Sequence, residues 1–442
     1  MTGMPGMAGT ETETELELKS CFGDPLLEVM NFLNEVVLRY PQAISFAPGR
    51  PAERHFDVER SLAQAPRFVA HRAGTTGWPP LAVWNDLGQY NKTNGIINDL
   101  VARQLELDEG IRVRPESIMI THGCQEAMTI LLMGLFDPAR DTLLVSDPTY
   151  IGITGLAAIL GIEMLPIPTG EEGLDPAAVA AAITAVRKSG KRPRALYDIP
   201  DFNNPLGTQM PLAARHALLD VLRGEGVLLF EDNPYGMFSY DGDPLPTLRS
   251  LDEHGTVVYL GSFAKTLYPG LRAGYLVAGQ EVVGKAGQRT SLAAELSKVK
   301  SLTTVTTSPI VQAVVGALLL ENGGSLRSLV RGKLPFYKSN RDRMLACLER
   351  ELGDVEGVRW NRPAGGFFLT VHLPFEVDDA SLQACARDYG VIVCPMSYFS
   401  LTAGRERQVR LSFSYVTEEQ IEEGIARFAR FVTARPIEDD KP

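Results

Sequence analysis

The sequence predicts an α/β protein with a large, mostly parallel β-sheet flanked by helices and a smaller α+β domain after it. Three observations lead to this prediction. In the middle of the chain, short apolar runs alternate with helical patterns, which is typical of a parallel sheet whose strands are joined by helices. The apolar runs are continuous, so helices are expected to cover both faces of the sheet. After Pro309 the pattern changes to long helical stretches and short strands.

Six apolar runs are the strand candidates of the large sheet: residues 117–121, 142–146, 194–199, 227–231, 256–261 and 273–277. The smaller domain is expected to contain helical stretches at 309–325 and 326–351, strands at 358–360, 367–371, 391–393 and 408–413, and a final helix at 418–431. We place the large domain at residues 76–310 and the small domain at 311–442. Residues 25–75 are expected to form an arm that joins the small domain, after a disordered tail at 1–24.

The composition limits the possible functions. Hydrophobic residues make up 45% of the 442 residues and charged residues 22%, a profile typical of soluble globular proteins. The formal net charge of −11 argues against nucleic-acid binding, which needs a basic surface. The N-terminus has no signal-peptide pattern, and no apolar run approaches the roughly 20 residues of a membrane helix. The cysteines form no CxxC pair, which indicates a reducing compartment and no zinc site: Cys21, Cys124, Cys347, Cys385 and Cys394.

Polar residues follow five of the predicted strands at the point where each strand ends. In open α/β sheets, ligands bind beyond the carboxyl ends of the strands. A single polar turn after a strand is common and carries little weight, but five together predict one shared site. The five segments are Thr121-His122-Gly123, Asp147-Pro148, Pro200-Asp201, Glu231-Asp232-Asn233-Pro234 and Gly261-Ser262.

Lys265 is the first candidate for chemistry, because it lies between apolar neighbours four residues after a predicted buried strand. A lysine removed from water loses its charge readily and becomes a nucleophile or a Schiff-base donor. Arg272 follows a Pro269-Gly270 turn that could fold it back toward Ser262, and a hydroxyl with a guanidinium makes a phosphate clamp. A single loop lysine is usually solvated, so this interpretation depends on the other motifs.

Two further strand ends offer polar groups of a suitable kind. Gly123 lies between a strand and a helix, where free amides bind phosphate, and the side chains of Cys124 and Gln125 could add contacts. Asp232 follows a buried strand, where an acid would pair with a protonated ring nitrogen, although a turn-capping role is the alternative. Tyr150 could stack on an aromatic ring, or could be a core tyrosine.

Arg410 lies inside an apolar strand, where a charge is costly without a partner. A substrate carboxylate is a natural bidentate partner, and an internal salt bridge is the alternative. Asn204, in the turn Asn203-Asn204-Pro205, offers an amide donor at another strand end.

The ordered set of motifs resembles the class I and II aminotransferases of fold type I, which depend on pyridoxal 5'-phosphate (PLP). The resemblance runs from about residue 25 to residue 432, and the order and spacing of the motifs together are highly specific. It implies a seven-stranded, mostly parallel large sheet. The motifs are Asn204-Pro205-x-Gly207, Asp232-x-x-Tyr235, Ser262-x-x-Lys265, Pro269-Gly270-Leu271-Arg272 and Arg410-Leu411-Ser412-Phe413.

The resemblance implies a role for each matching residue at the cofactor. Lys265 would form a Schiff base with PLP and then move protons, with Asp232 on the ring nitrogen. Tyr235 and Asn204 would hydrogen-bond the phenolic oxygen, and Tyr150 would stack on the ring. The phosphate would be held by Gly123, Cys124, Gln125, Ser262 and Arg272.

For the substrate, the resemblance implies that Arg410 binds the α-carboxylate and that Gly49 lies at the substrate mouth beside Asn204. Tyr90 would reach the phosphate of a neighbouring subunit, which implies a homodimer with shared sites. The implied protein is a cytoplasmic enzyme of amino acid metabolism or biosynthesis, with no metal, nucleic-acid or membrane partner. A second cation for a side-chain carboxylate is not evident, and the candidates are Arg50, Arg54 and His55.

Some residues depart from the family pattern, and they leave alternatives open. His122, Asn91, Met396 and Ser397 are unusual at positions expected to face the substrate, and Cys124 is unusual beside the phosphate. The first expectation is therefore an aminotransferase. The alternative is an enzyme of the same fold that performs decarboxylation, oxygen-dependent oxidation or β/γ elimination. A regulator with an aminotransferase-like domain would need an N-terminal DNA-binding domain of about 60–70 residues with a basic helix-turn-helix, whereas an acidic segment of about 25 residues precedes the matching region.

Overall fold

The computed structural model describes residues 16–284 and 287–436, and it confirms the predicted α/β architecture. Most of the tail predicted at residues 1–24 lies outside the described residues, and Ser20–Gly23 form one 3₁₀ turn. None of the described helices is both long enough and apolar enough to cross a membrane. Within the same residues, no three His, Cys, Asp or Glu side chains are grouped in a way that could hold a metal ion.

The strands are β1 (Ile44–Ser45), β2 (Ile118–Thr121), β3 (Asp141–Asp147), β4 (Glu163–Gly170), β5 (Gly173–Leu174), β6 (Arg192–Asp198), β7 (Leu228–Asp232), β8 (Val257–Ser262), β9 (Gly274–Val277), β10 (Glu281–Val283), β11 (Arg289–Ser291), β12 (Arg359–Trp360), β13 (Phe368–His372), β14 (Val391–Ile392), β15 (Cys394–Pro395) and β16 (Gln408–Ser412).

The α-helices are α1 (Pro25–Arg39), α2 (Val58–Ala63), α3 (Ala65–Thr76), α4 (Pro80–Leu87), α5 (Asn98–Glu109), α6 (Gly123–Leu135), α7 (Ile151–Leu160), α8 (Pro176–Lys188), α9 (Leu212–Glu225), α10 (Leu248–Leu251), α11 (Phe263–Thr266), α12 (Leu292–Thr303), α13 (Pro309–Glu321), α14 (Arg327–Arg331), α15 (Leu334–Leu352), α16 (Asp379–Asp388) and α17 (Glu418–Thr433).

The large sheet has eight strands in the order β2-β9-β8-β7-β6-β3-β4-β5. The strands from β8 to β4 run parallel, whereas β9 is antiparallel to both of its neighbours and β5 is antiparallel to β4. All six predicted strands are present, each within two residues of its expected ends. The eighth strand, which makes the sheet larger than the seven strands expected, is the two-residue β5 at the edge.

β4 is the long strand that the sequence prediction misses, because Pro166 and Pro168 interrupt its apolar pattern. It pairs with β3 from Glu163 to Pro168, and on its other side it meets only β5, at Thr169 and Gly170. A proline removes a hydrogen-bond donor from a strand and is therefore tolerated at the edge of a sheet. The position of β4 in the sheet explains how two prolines fit into it.

Helices cover both faces of the large sheet, as the continuous apolar runs predict. On one face, α6, α7 and α12 pack against side chains such as Met119, Val145 and Phe230. On the other face, α5 and α13 cover the β2–β9–β8 end, and α8 and α9 cover the β3–β6–β7 part. The fully buried strands thus place their carboxyl ends in one fixed row.

The smaller α+β unit is built on the sheet β12-β13-β16-β15, with α15, α16 and α17 packed around it. The N-terminal segment joins it through β1, which pairs with β14, and through Val36 and Phe46 in its core. The domain boundaries stay a prediction. The helix α13, which follows residue 308, packs with α3 and α5 of the large unit, and α15 reaches from Tyr337 in the large core to Leu348 in the small one.

Local signals explain where several of these helices begin and end. The side chain of Asp175 accepts a hydrogen bond from the N–H of Ala177 at the start of α8, and Thr417 forms a capping box with Gln420 at the start of α17. α5 ends at Gly110, whose φ of 69° is a left-handed conformation that glycine adopts without strain. The helix expected at 326–351 is divided into α14 and α15 near Gly332.

Candidate active site

A cavity of about 410 Å³ lies beyond the carboxyl ends of the strands of the large sheet. Twelve of the thirteen residues that sequence reasoning assigns to the site line it, and Tyr90 is the exception. Three of the five polar strand ends predicted to share one site therefore meet at this cavity, those at Gly123, Asp232 and Ser262. The twelve are Gly49, Gly123, Cys124, Gln125, Tyr150, Asn204, Asp232, Tyr235, Ser262, Lys265, Arg272 and Arg410.

Lys265 extends from the short helix α11, directly after β8, into the cavity. Its Nζ donates a hydrogen bond to the carbonyl oxygen of Gly49 at 2.7 Å and lies 5.8 Å from the centre of the Tyr235 ring. Removal from water lowers the pKa of Lys265 to about 8, and the nearby Arg410 and Arg272 add to this effect. Near neutral pH a useful fraction of this amine is thus uncharged and able to act as a nucleophile.

Asp232 is the last residue of β7 and is 3% exposed. Its Oδ2 accepts a hydrogen bond from the hydroxyl of Tyr197 at 2.7 Å, and its Oδ1 is buried without a hydrogen-bond partner in the described chain. Burial raises the pKa of Asp232 to about 6. Sequence reasoning missed Tyr197, because a tyrosine at the end of an apolar strand gives no signal that separates it from a core residue.

Arg410 lies on β16 with 5% exposure and has no carboxylate partner among the described residues. Its Nη1 donates to Asn204 Oδ1 at 2.6 Å, its Nη2 donates to the Ala47 carbonyl at 2.5 Å, and its Nε is buried without a partner. The guanidinium lies 4.4 Å from the centre of the Phe368 ring and 4.6 Å from that of Phe399. Among the described residues Arg410 thus forms no internal salt bridge, and its charge is available to an anion in the cavity that it lines.

Tyr235 is held at the wall of the cavity by aromatic contacts. It is 3% exposed, and its ring makes edge contacts with Phe367 at 5.4 Å and Phe368 at 5.6 Å. The loop that carries Asn204 also packs tightly against Phe368. An added Cβ on Gly207, in that loop, would lie only 2.4 Å from the Phe368 carbonyl oxygen. Tight packing of the small unit against these two loops fixes their position relative to Arg410.

The turn at the start of α6 faces Arg272 and Ser262. Gly123 has a φ of 76°, and a Cβ there would lie 3.0 Å from Arg272 Nη2, so this close approach requires glycine. Arg272 itself has a left-handed backbone, and its Nη2 donates to the His122 carbonyl at 3.5 Å. Free helix amides, a guanidinium and a hydroxyl converge here, which is a suitable site for a phosphate group.

Cys124, Gln125 and Tyr150 complete this end of the cavity. The thiol of Cys124 donates to the Gly261 carbonyl at 3.3 Å, and burial raises its pKa well above the usual range, so the thiol stays neutral. The Tyr150 hydroxyl donates to Gln125 Oε1 at 3.4 Å, and burial raises the pKa of Tyr150 to about 12. Tyr150 therefore contributes a neutral aromatic face to the cavity wall.

A buried ion pair that the sequence did not indicate supports the turn at His122 and Gly123, where α6 begins. Lys300 is fully buried, and its Nζ lies 2.9 Å from both carboxylate oxygens of Glu126. Glu126 Oε2 in turn accepts a hydrogen bond from the backbone N–H of His122 at 2.6 Å. Lys300 neutralises an acid that would otherwise repel an anion at the start of α6.

Two of the strand-end carboxylates have structural roles instead. Asp147 accepts hydrogen bonds from the Leu401 N–H at 2.7 Å and from the Ser400 hydroxyl at 2.8 Å. Asp201 forms an ion pair with the buried Arg215 at 2.5 Å. Neither residue lines the cavity, because their partners turn both side chains away from it.

The opposite end of the cavity is formed by residues that sequence reasoning mostly missed. Of the three candidates for a second cation, only Arg50 lines the cavity, whereas Arg54 stacks over the Phe336 ring and His55 packs against the same ring. Phe368 and Phe399 form part of the wall beside Arg410. The remaining residues of this end include Val37, Ser45 and Tyr415.

The four positions expected to give an unusual substrate rim do not line the cavity of this chain. The His122 ring lies 3.4 Å from the Thr306 carbonyl, and Asn91 donates to Asp86 at 2.8 Å. Met396 is fully buried in the small core, and Ser397 precedes the segment that reaches the site. Tyr90 is 81% exposed, with its side chain at the surface.

The charges of the cavity favour an anionic ligand. Four cationic side chains line it, and among the described lining residues Asp232 is the single acid. The cations come from separate elements, with Arg272 beside Gly123 at the start of α6 and Arg410 on β16 of the smaller unit. The arrangement suits a ligand pair that carries a phosphate at one end and a carboxylate at the other.

Comparisons with known proteins agree with this geometry. Residues 89–428 match the family described as aminotransferase class I and II. The chain is 44% identical to the (S)-3,5-dihydroxyphenylglycine transaminase of Amycolatopsis orientalis, over 97% of this chain and 96% of the relative. It is 29% identical to the aromatic-amino-acid aminotransferase 1 of Thermococcus litoralis, over 95% of this chain and 98% of the relative.

A solved structure is similar over nearly the whole chain. It is the α-aminoadipate aminotransferase of Thermus thermophilus, complexed with N-(5'-phosphopyridoxyl)-L-leucine. The TM-score is 0.73 at 30% identity, with 90% of this chain and 94% of that chain covered.

Proposed function

The chain belongs to the class I and II aminotransferases and depends on PLP, and we propose that its amino donor is an α-amino acid with an aromatic side chain. The amino group passes to a 2-oxo acid. The observation that carries this proposal is the position of Arg410, a buried cation that has no carboxylate partner in the described part of the chain and lies close to two phenylalanine rings in the same cavity as Lys265. That wall offers a carboxylate site and an aromatic surface side by side.

The residues of the cavity fit PLP. Asp232 Oδ1 is a buried acceptor without a partner among the residues that the structure describes, and a protonated ring nitrogen would satisfy it. The close approach of Gly123 and Arg272 leaves the amides at the start of α6 and a guanidinium for the phosphate. Tyr150 offers a face for the ring, and Tyr235 and Asn204 offer a hydroxyl and an amide to the phenolic oxygen.

When bound, PLP withdraws electrons from the substrate Cα and carries the amino group between the two half-reactions. Asp232 keeps a proton on the ring nitrogen, because a buried carboxylate pairs strongly with a cation. Arg410 would hold the substrate carboxylate, and this would fix the direction in which the Cα–H bond is presented to Lys265. The Nζ of Lys265, whose pKa is lowered to about 8, then takes the proton from Cα.

The aromatic donor is supported by the wall beside Arg410. Phe399, Phe368, Val37 and Tyr415 provide apolar and aromatic surface on the side of the cavity away from the phosphate turn. The relatives from Amycolatopsis and Thermococcus, which are named for an arylglycine and for aromatic amino acids, point in the same direction. Amino transfer is preferred to decarboxylation, oxidation and elimination, since these two relatives are named as a transaminase and an aminotransferase.

Tyr90 and a group of exposed apolar side chains support a homodimer with shared sites. The group lies on α4, on the segments that flank it, and where α12 and α13 meet, and α13 packs against α3 and α4. Burial of such a surface by a second copy would remove the largest exposed apolar side chains of this region from water. They are Trp78, Leu81, Trp84, Tyr90, Leu302, Val305 and Ile310.

Mixing two inactive variants tests the shared site. In a heterodimer of Tyr90→Phe and Lys265→Ala, one of the two sites contains both intact residues. We expect part of the activity to return, with about the dimer mass in sedimentation. An active monomer, or no recovery in a mixture with proven subunit exchange, would exclude this role for Tyr90.

The cysteines support a reducing location such as the cytoplasm. All five are free thiols in the described chain, and secreted proteins usually oxidise such thiols. Retention of full activity in an oxidising compartment, with disulfides formed, would argue against this location.

A panel of amino acids tests the proposed donor. The purified enzyme is mixed anaerobically with one amino acid at a time, and pyridoxamine phosphate is measured in a single turnover and then reversed with a 2-oxo acid. We expect kcat/KM for arylglycines, phenylalanine or tyrosine to exceed that for leucine and glutamate by about tenfold or more. Preference for glutamate or 2-aminoadipate over every aromatic donor would contradict the proposal. Carbon dioxide release without pyridoxamine phosphate would contradict amino transfer itself.

A further inference from the structure

The active-site loop at residues 232–236 is hydrogen-bonded, on the side away from the active-site cavity, to residues of α5 and β8. Glu109, the last residue of α5, accepts hydrogen bonds at Oε2 from the Tyr259 hydroxyl and from Asn233 Nδ2, the latter at 3.3 Å. Asn233 Nδ2 also lies 3.2 Å from the Tyr259 hydroxyl. None of these three residues lines the active-site cavity.

Asn233 is the link between this group and the loop. Its Oδ1 accepts a hydrogen bond from the Gly236 N–H at 2.9 Å, and its own N–H donates to the Leu260 carbonyl at 3.1 Å. An added Cβ on Gly236 would lie 2.5 Å from Asn233 Oδ1, so the loop is wrapped closely around the amide. The same loop begins with Asp232 and carries Tyr235, the two residues assigned above to the ring nitrogen and the phenolic oxygen.

The loop needs such support because it separates cavities. A second cavity of about 460 Å³ lies on its far side and is lined by Glu109, Asn233 and Gly236. A small cavity of about 20 Å³, lined by Asn233, Pro234 and Ser262, lies between the two larger ones. Phe367 and Phe368 pack against Tyr235 at one end of the loop, whereas the hydrogen bonds of Asn233 hold the part that faces the second cavity.

We propose that Glu109 is a positioning residue for the cofactor ring, which acts through Asn233 to hold the loop so that Asp232 and Tyr235 face their ring atoms. The inference rests on the roles proposed for Asp232 and Tyr235. Glu109 touches neither substrate nor PLP, and its effect is the placement of the loop. Tyr259, on the neighbouring strand β8, holds the Glu109 carboxylate in place through the hydrogen bond from its hydroxyl.

Two substitutions of Glu109 separate this role from general stability. Glu109→Ala removes the acceptor for Asn233, whereas Glu109→Gln keeps an oxygen of the same reach. Removal from water raises the pKa of Glu109 to about 7, so the neutral amide is a close substitute. Glu106→Gln is the matched control, since Glu106 lies on the same helix and pairs with Arg112 at the surface.

For Glu109→Ala we expect kcat to fall about tenfold with KM changed by less than about threefold, because a displaced loop affects the reacting geometry more than substrate binding. The visible circular dichroism of bound PLP should weaken, and the dissociation constant of PLP should rise several-fold. Glu109→Gln should restore both signals to near the normal values, and Glu106→Gln should change neither. Normal dichroism and kcat in Glu109→Ala, or an equal loss in Glu109→Gln, would overturn the inference.

A double-mutant cycle with Asp232→Asn separates the inference from the proposed function. If Glu109 acts through the loop, Glu109→Ala should lower kcat less in the presence of Asp232→Asn than it does alone, because only its effect through Tyr235 then remains. Additive losses would show that Glu109 acts elsewhere and would overturn the inference. If Asp232→Asn alone has normal kcat and normal dichroism, the proposed role of Asp232 fails first, whatever Glu109→Ala does.

Discussion

The two ends of the active-site cavity are built in different ways. At the phosphate end, Gly123, Asp232, Ser262 and Lys265 lie at or just after the ends of β2, β7 and β8 of one buried sheet, so the sheet itself sets their spacing. At the other end, Val37, Arg50, Phe399 and Tyr415 come from a helix and from three separate segments of the chain. The strand-end residues form one rigid frame, whereas the opposite wall depends on how the small unit and the N-terminal segment pack onto it.

This difference predicts that the strand-end residues and the opposite wall control different kinetic parameters. A change in the strand-end residues alters the chemistry for every substrate, so we expect it to appear in kcat. A change in the opposite wall alters which substrate fits, and we expect it to appear in KM and in the ratios between substrates. The following experiments test this division.

The largest effect is expected for Lys265→Ala, which should lower kcat by about 10⁴-fold or more for all donors, because it removes the amine that moves the proton. The control is Lys333→Ala. Lys333 also has a pKa lowered by burial to about 8, but it donates to the Thr266 carbonyl outside the cavity. Its removal should leave kcat within about threefold. Borohydride reduction followed by peptide mapping should label Lys265, and a label on Lys333 would refute the assignment.

The next largest effect is expected for Arg410→Gln, which should alter both substrate binding and the reacting geometry. We expect kcat/KM to fall about 10²-fold, mainly through KM, because two charge-assisted hydrogen bonds to the substrate carboxylate are lost. Steady-state kinetics with an amino acid and with the corresponding amine separate the two effects. The amine, which lacks the carboxylate, should lose little. An equal loss for amine and amino acid would mean that Arg410 acts on packing alone.

The pH dependence of the rate at which the apoenzyme binds PLP measures the pKa of Lys265, one of the strand-end residues. The neutral amine of Lys265 is the reactive form, and its fraction rises as protons leave, so the capture rate of the apoenzyme should increase about tenfold per pH unit below pH 8 and level off above it. Stopped-flow absorbance between pH 6 and 9 gives the profile, with Nα-acetyl-lysine as the reference amine. A rise that continues toward pH 10 would show that burial does not lower the pKa of Lys265.

The smallest effect is expected at the wall. Phe399→Leu should lower the ratio of kcat/KM for aromatic over aliphatic donors about fivefold, with kcat for the aliphatic donor nearly unchanged. Phe375→Leu is the matched control, because Phe375 is buried in the same small core but does not line the cavity. If both variants change the ratio equally, the wall does not select the donor.

The sequence predicts the strand-end residues well because each is tied by a few residues of chain to a strand whose apolar pattern is plain. Asp232 and Lys265 are of this kind, and the fold follows from the same strands. Tyr197 and Lys300 could not be predicted, since their roles depend on contacts across more than thirty residues of chain. His122 and Met396 illustrate the reverse case, in which unusual residues near a motif turn away from the cavity.

The prolines of β4 have a consequence for how copies of this protein meet in concentrated solution. A long exposed sheet edge offers unpaired backbone groups on which a strand of another molecule can assemble, and this is a common route to aggregation. Pro166 and Pro168 remove two of the donors from that edge. At the opposite edge the Ile120 N–H donates to the Asn94 carbonyl at 2.9 Å, and the Asn98 side chain donates to the Ile118 carbonyl at 2.7 Å. One edge of the large sheet therefore lacks two hydrogen-bond donors, and the other edge is already bonded to Asn94 and Asn98. Neither edge is a good template for a further strand.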